Sequence, residues 1–512
     1  MATVRLPALL VLPAVVAAAL VLGADGDDPA PPPADAAVDG DGEAVAPLGE
    51  VPAAELLPAA AGADARGSTW FCAPGTATGS DDGFAEHVIV MANAGDAVAS
   101  VSLTVIPDEG DPVIEAFDLE PASRTAIELS DLVRADWAGA LIEADGGEVA
   151  VDHVLTGPTG TALAPCASTP TDRAWFPAGA TEPGAREVLT VLNPFPDEAV
   201  ISVTFETEDG ARTPDDLEAK VVPPRSVVVL ELGDQVAVRR EVSTTVEVVS
   251  GQVVADRIQS YDGTGDRSGL GLEPGVPRPA STWWFPGVEV SADRASSIVL
   301  VNPDRDSVAK VDVGVTAEGV ADADQPEPFA VEVAPGRYLV VPLDRDGRVP
   351  LETGLTVTVV ALDDHPVVAE LLTSATVRDD TAEVRSGVGL SLGSGSPVAA
   401  TRWLVPFGSL GGTDAAVISV ANPGDDPVVI RLDALGGGTR TTVADGVVIE
   451  PGGQVDLDVA GGAGRHPAAF DLSSDGEVIV SRRFQLATGE VTDALAIPEV
   501  DGVVTAPPPP RG

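Results

Sequence analysis

All four asparagines of this 512-residue chain stand at one position of an internal repeat. Each closes an apolar run: Val88-Ile-Val-Met-Ala-Asn93, Val188-Leu-Thr-Val-Leu-Asn193, Ile298-Val-Leu-Val-Asn302 and Val417-Ile-Ser-Val-Ala-Asn422. Some 18 to 23 residues before them stand Trp70, Trp175, Trp284 and Trp403. After them come a proline turn (Pro121, Pro223, Pro335, Pro451) and a late strand such as Gln252-Val-Val-Ala-Asp-Arg257. A small-Leu-small element such as Gly269-Leu-Gly271 ends the unit. A fixed period of about a hundred residues means one unit used four times.

The asparagine explains its own surroundings. In three units Pro follows it and Asp comes soon after, as in Asn422-Pro-Gly-Asp425. Asn bonds its own chain two residues on and Pro presets the next φ, so a strand, a tight turn and a second strand follow. Alternation then resumes in Val101/Leu103/Val105, Ile201/Val203/Phe205 and Val311/Val313/Val315, which gives a hairpin with one buried face. Seven or eight such strands per unit, punctuated by Gly, Pro and Asp, predict an all-β chain. The expected form is a tandem array of four immunoglobulin-like antiparallel β-sandwiches, with each repeat Trp a core plug. A four-bladed β-propeller is the alternative. The repeats span residues 66–169, 170–279, 280–398 and 399–503.

Charge narrows the partners. Against 29 Lys+Arg stand 80 Asp+Glu, a formal charge of −51. Nucleic acid needs a basic footprint, so it is excluded as a partner. Hydrophobic residues at 44% still supply cores.

The chain opens with Arg5 and an uncharged run from Leu6 to Leu22, so residues 1–23 read as a signal peptide or membrane anchor. Residues 24–65, acidic and rich in Pro and Ala, read as a disordered spacer, and 504–512 as a Pro-rich tail. The expected location is extracytoplasmic, anchored or secreted, with membrane contact only through the N-terminal segment. In that setting Cys72 and Cys166, at the two ends of the first unit, read as a disulfide.

The set of motifs resembles a family of unknown function whose members are exported, often membrane-anchored proteins of high-GC Gram-positive bacteria. Unit two matches most fully, through Trp175, Asn193-Pro194, Arg225, Val254-Ala-Asp-Arg257, Tyr261 and Gly269. Unit one departs at Ala94 and His153, unit three at Leu371 and unit four at Gln454. The resemblance implies a cell-envelope protein of β-domains and carries over no catalytic residue.

Candidate chemistry is thin. Gly389-Leu-Ser391-Leu-Gly393 has nucleophile-elbow spacing, but no helical period follows to expose the serine. Gly387-Val-Gly389-Leu corresponds to Gly269-Leu-Gly271-Leu, which sets Ser391 opposite Glu273. The histidines His87, His153, His365 and His466 occupy no common repeat position and read as solvated or hydrogen-bonded strand residues. Asp304, Asp306, Asp344 and Asp346 are weak calcium candidates in turns, where solvated acids are the ordinary reading. Arg257 and Arg482 end matching strands and read as partners of neighbouring carboxylates. No catalytic residue and no cofactor are expected. The expected function is a non-enzymatic envelope scaffold or interaction surface, its partner an unknown protein or cell-wall glycan. The competing class is a secreted carbohydrate-binding module or a hydrolase using paired carboxylates, for which Trp137 and Trp283 are the remaining aromatic platforms.

Overall fold

The computed structural model describes residues 53–500, apart from 81–82, 237, 265–266, 322–323, 345–346, 364, 379–384, 409–412, 461–467 and 487. The signal or anchor, most of the spacer, the Pro-rich tail, Asp346 and His466 lie outside the described residues.

Repeats one and three fold into eight strands each, and repeat two divides its fourth strand into Gly210–Arg212 and Lys220–Val222. In repeat one they are, first to eighth, Gly67–Ala77, Glu86–Asn93, Ala99–Pro107, Val113–Leu119, Ser123–Glu128, Ala135–Asp145, Val149–Gly157 and Gly160–Pro165. An outer sheet runs fourth-third-sixth-first and an inner sheet runs fifth-second-seventh-eighth. The other repeats keep this order, with the sixth and seventh strands of repeat four fused as Ala469–Leu486. As the alternation requires, Val101, Leu103 and Val105 turn inward between the two sheets. Full burial of each such side chain contributes roughly 1.5–3 kcal/mol.

Every repeat asparagine is a buried clasp. Asn193 Nδ2 donates to the carbonyls of Asp197 at 2.8 Å and Val222 at 3.2 Å, and its Oδ1 accepts from Phe195 N–H at 3.0 Å. Asn93, Asn302 and Asn422 make the same three kinds of bond. The local turn was legible in the sequence; the bond to the end of the fourth strand, some thirty residues on, was not.

The strand order is not the immunoglobulin one. Second pairs with fifth and third with sixth, as in that fold, but the first strand joins the third-sixth sheet and the seventh joins the second-fifth sheet. This leaves the eighth strand as the inner edge of each repeat. The four eighth strands, Gly160–Pro165, Ser268–Pro274, Arg385–Ser394 and Val491–Leu495, pack on one another in cyclic order. The expected linear array of sandwiches is therefore corrected to its alternative, a four-blade propeller-like ring whose blades are two sheets deep. The small residues of the small-Leu-small element permit the closure. A Cβ on Gly269 would stand 2.3 Å from the Leu390 backbone nitrogen, and one on Gly389 2.8 Å from that of Val491.

The last part of the stretch expected to be disordered is ordered. Leu56 and Leu57 are buried and line one cavity with Pro165, Pro274 and Leu495, at the ends of three eighth strands. Ala60–Ala61 then pairs in parallel with Ile497–Val500. An apolar Leu-Leu-Pro inside an acidic segment is what allows this docking.

Candidate functional site: the four junctions of the ring

The late strand carries a pair of residues to each junction between repeats: Asp152-His153, Asp256-Arg257, Glu370-Leu371 and Ser481-Arg482. The second member reaches the first member of the next repeat. Arg482 grips Asp152 with Nη1–Oδ2 at 2.5 Å and Nη2–Oδ1 at 2.6 Å, neither side chain exposed. His153 Nε2 stands 3.3 Å from Asp256 Oδ2. Arg257 pairs with Glu370, again with both fully buried. At the fourth junction these two positions are both uncharged, and Leu371 and Ser481 line a cavity of about 30 Å³ beside Glu289 and Arg483, which stand 3.6 Å apart across the junction.

The backbone of each first strand, or of the turn just after it, completes the pattern. Phe407 N–H donates to Asp152 at 2.9 Å, Ala178 N–H to Glu370 at 2.9 Å, and Ala73 N–H to Asp256. At the fourth junction Ser481 Oγ donates to the Pro286 carbonyl at 2.6 Å. One geometric rule thus runs round the ring, linking repeat four to one, one to two, two to three and three to four.

Burial pushes the carboxyls of Asp152, Asp256 and Glu370 up; Arg482 opposes this at Asp152 and Arg257 at Glu370. Asp256 has no guanidinium before it and is pushed well above the usual range. Burial, and then the neighbouring His87, hold His153 well below the usual histidine range, and burial brings His87 to about 4. At the first-second junction burial thus disfavours the charged forms of both facing groups, which stand 3.3 Å apart, where the counterparts are Arg–carboxylate pairs. His87 Nε2 lies 3.2 Å from His153 Nδ1, and its own Nδ1 lies 3.0 Å from the Ala138 carbonyl. Two histidines expected to be solvated or hydrogen-bonded strand residues are one buried, hydrogen-bonded pair.

The second-third junction holds two further carboxyls. Glu187 is wholly buried and lifted by that burial to about 8, with Arg257 opposing and Glu370 adding to the shift. Glu273 accepts from Ser394 N–H at 2.8 Å and from the serine hydroxyl, and burial raises it too. Nothing in the repeat pattern marks these two; Glu187 takes the place held by His87 in repeat one.

The tryptophans fall into two classes. Pairing places Trp70, Ala174, Trp283 and Trp403 at one position, facing their own repeat's core. Phe71, Trp175, Trp284 and Leu404 share the next position and face the following repeat. Trp175 and Trp284 are thus not plugs of their own repeats, and Trp283, whose Nε1 donates to the Val367 carbonyl at 2.8 Å, is no surface platform. The doublet Trp283-Trp284 conceals this one-residue slip. Trp137 is half-buried, edge-on to Phe84.

Cys72 and Cys166 form a disulfide. Ser391 lies in an eighth strand, accepting from Asp493 N–H at 2.7 Å, and Gly393 rather than Ser391 takes the place of Glu273. Asp304 Oδ1 accepts from the N–H groups of Asp306 and Ser307, which explains its lowered pKa, and Asp344 is exposed. Among the described residues no group of three or more His, Cys, Asp or Glu could hold a metal ion. Among them, too, no helix is long and apolar enough to cross a membrane.

Residues 153–385 match a family of unknown function, DUF5719. The match starts at the junction histidine of repeat one and ends in the eighth strand of repeat three. No curated protein matches the chain. Among solved structures, a tetra-tandem repeat in the extending region of a large adhesion protein aligns with 85% of this chain and 100% of that chain, at 12% identity and TM-score 0.10. That score carries no argument about arrangement.

Proposed function

We infer that the protein is a non-enzymatic extracytoplasmic scaffold, held at the cell envelope through its N-terminal segment and presenting the rim of a rigid ring. The supporting observation is the use of the repeat's polar positions. The asparagines, the junction acids and the arginines that face them are all buried and bonded to other parts of the ring. What these bonds leave uncommitted is the exposed turns, where binding surfaces on rigid folds reside. The disulfide fits an oxidising compartment.

The test is a fusion of residues 1–64 to β-lactamase in a Gram-positive host. The expected outcome is ampicillin resistance, with the full-length protein accessible to protease on intact cells. A fusion that is made but confers no resistance would remove the reading.

A further inference from the structure

In this pseudo-fourfold ring, the junction that departs from the repeat rule is the one between repeats three and four. It lacks the buried charge pair, and it also leaves an aromatic ring uncovered. At the position facing the next repeat, Phe71, Trp175 and Leu404 are 2%, 6% and 1% exposed, while Trp284 is only half-buried. The coverings differ. Phe195, two residues after its repeat asparagine, packs on Phe71 with ring centroids 5.8 Å apart. The Arg173 guanidinium lies 5.4 Å over Trp175. The counterpart of Phe195 beside Trp284 is Gly424, which covers nothing.

The result is an open groove of about 440 Å³, a volume within the usual range of small-ligand sites. Trp284, Pro397, Val398 and Ala399 give it an apolar side, and Asp425, Asp426 and Glu477 give it exposed carboxylates. Among the described residues these three carboxylates accept from no donor, and Trp284 Nε1 has no acceptor. We propose that this groove binds an uncharged pyranose oligosaccharide. The flat indole and its aliphatic neighbours suit the C–H face of a sugar ring, and the free carboxylates accept from its hydroxyl groups. An anionic glycan is repelled by three acids with no base among the lining residues. The site goes beyond the scaffold reading, which stands whether or not the groove is occupied.

Two substitutions copied from sister repeats isolate the groove without disturbing the fold. G424F installs the residue of repeat two at a turn whose N–H bond to the asparagine Oδ1 is alike in both repeats, 2.9 Å at Gly424 and 3.0 Å at Phe195. W284L installs the residue of repeat four. The full chain is titrated, by saturation-transfer NMR and calorimetry, with hexasaccharides of glucose, mannose, galactose and N-acetylglucosamine. At least one should bind saturably, with little change between about 50 and 500 mM salt. G424F and W284L should each weaken that binding by about tenfold or more at an unchanged melting temperature, and E477Q by a lesser factor. No saturable binding of any of these sugars to correctly folded protein would overturn the proposal. So would binding that G424F and W284L leave intact, or salt-sensitive binding of an oligolysine peptide in place of the sugars.

Discussion

Arg482 and Asp152, 330 residues apart in sequence, meet through two parallel hydrogen bonds with no exposed surface on either side chain. The pair joins the last repeat to the first. It therefore does for the ring what the Arg257–Glu370 pair does within it, and makes closure specific to one order of repeats. A buried pair adds little net stability over well-packed apolar groups, but a lone buried charge is costly, so a misordered ring is penalised.

The first prediction separates these two effects. Arg482→Met leaves Asp152 buried without its base and should cost about 3–5 kcal/mol. The double variant D152S/R482L copies the Ser481 and Leu371 of the fourth junction and should recover most of that loss. Denaturant titration of the three proteins checks it; a double variant as unstable as the single one would show that the uncharged pair is not an equivalent solution.

The second prediction concerns pH. Burial pushes Glu187 up to about 8 in the fold from the ordinary 4.5 of the unfolded chain, so between those values only the folded chain keeps the proton. Its contribution is therefore fully present below about pH 4.5 and lost as pH rises towards 8. His87, lowered to about 4 from 6.5, acts in the opposite sense, its contribution lost as pH falls from 6.5 to 4. Melting temperature should fall from pH 6 to pH 8, and Glu187→Gln should flatten that fall while leaving the acid limb in place. Parallel alkaline limbs in the two proteins would assign the slope to other groups.

The repeat, the inward faces of the third strands, the asparagine turn and the Cys72–Cys166 bridge were all legible in the sequence, because each rests on local periodicity or on a single residue type. The ring was not. Closure depends on outward-facing residues, and a strand's period of two shows that Phe71 and Trp70 face opposite ways without showing what the outer face meets. The junction acids were visible only as members of a late-strand motif, where Asp152, Asp256 and Glu370 look like ordinary strand-end charges. Charge loss at Leu371 and Ser481 reads as two unrelated departures until the ring places them together.

The third prediction tests the clasp. Asn193→Ala leaves the buried Val222 carbonyl, the part-buried Asp197 carbonyl and the part-buried Phe195 N–H without their partner and should cost about 1–3 kcal/mol. Asn193→Asp should cost more, since it turns a carboxylate oxygen towards the carbonyls of Asp197 and Val222 where an NH₂ group had donated. Thermal melts of both variants decide it. Equal losses would mean that the donor bonds matter less than the Phe195 N–H bond, which both Asn and Asp can accept.

The fourth prediction concerns the disulfide, which only repeat one has. Cys72 shares its position with Phe176, Phe285 and Val405, so the other three repeats fill the same place with an apolar side chain. Removing the bridge frees a loop of 94 residues, for which chain entropy sets a scale of about 4–5 kcal/mol. The ends of repeat one are already held, to each other by the Phe71–Ala167 backbone bridge and to the neighbouring repeats by Phe71 against Phe195 and by the Asp152 pair. An unfolded segment restrained in this way has less entropy to recover, so the measured loss should fall below that scale. Cys72→Val with Cys166→Ala, which keeps the packing of repeat four, should lower the melting temperature in the intact protein by less than the same change combined with Arg482→Met, which weakens the closing junction. Identical losses in the two backgrounds would show that the bridge and the ring closure act independently.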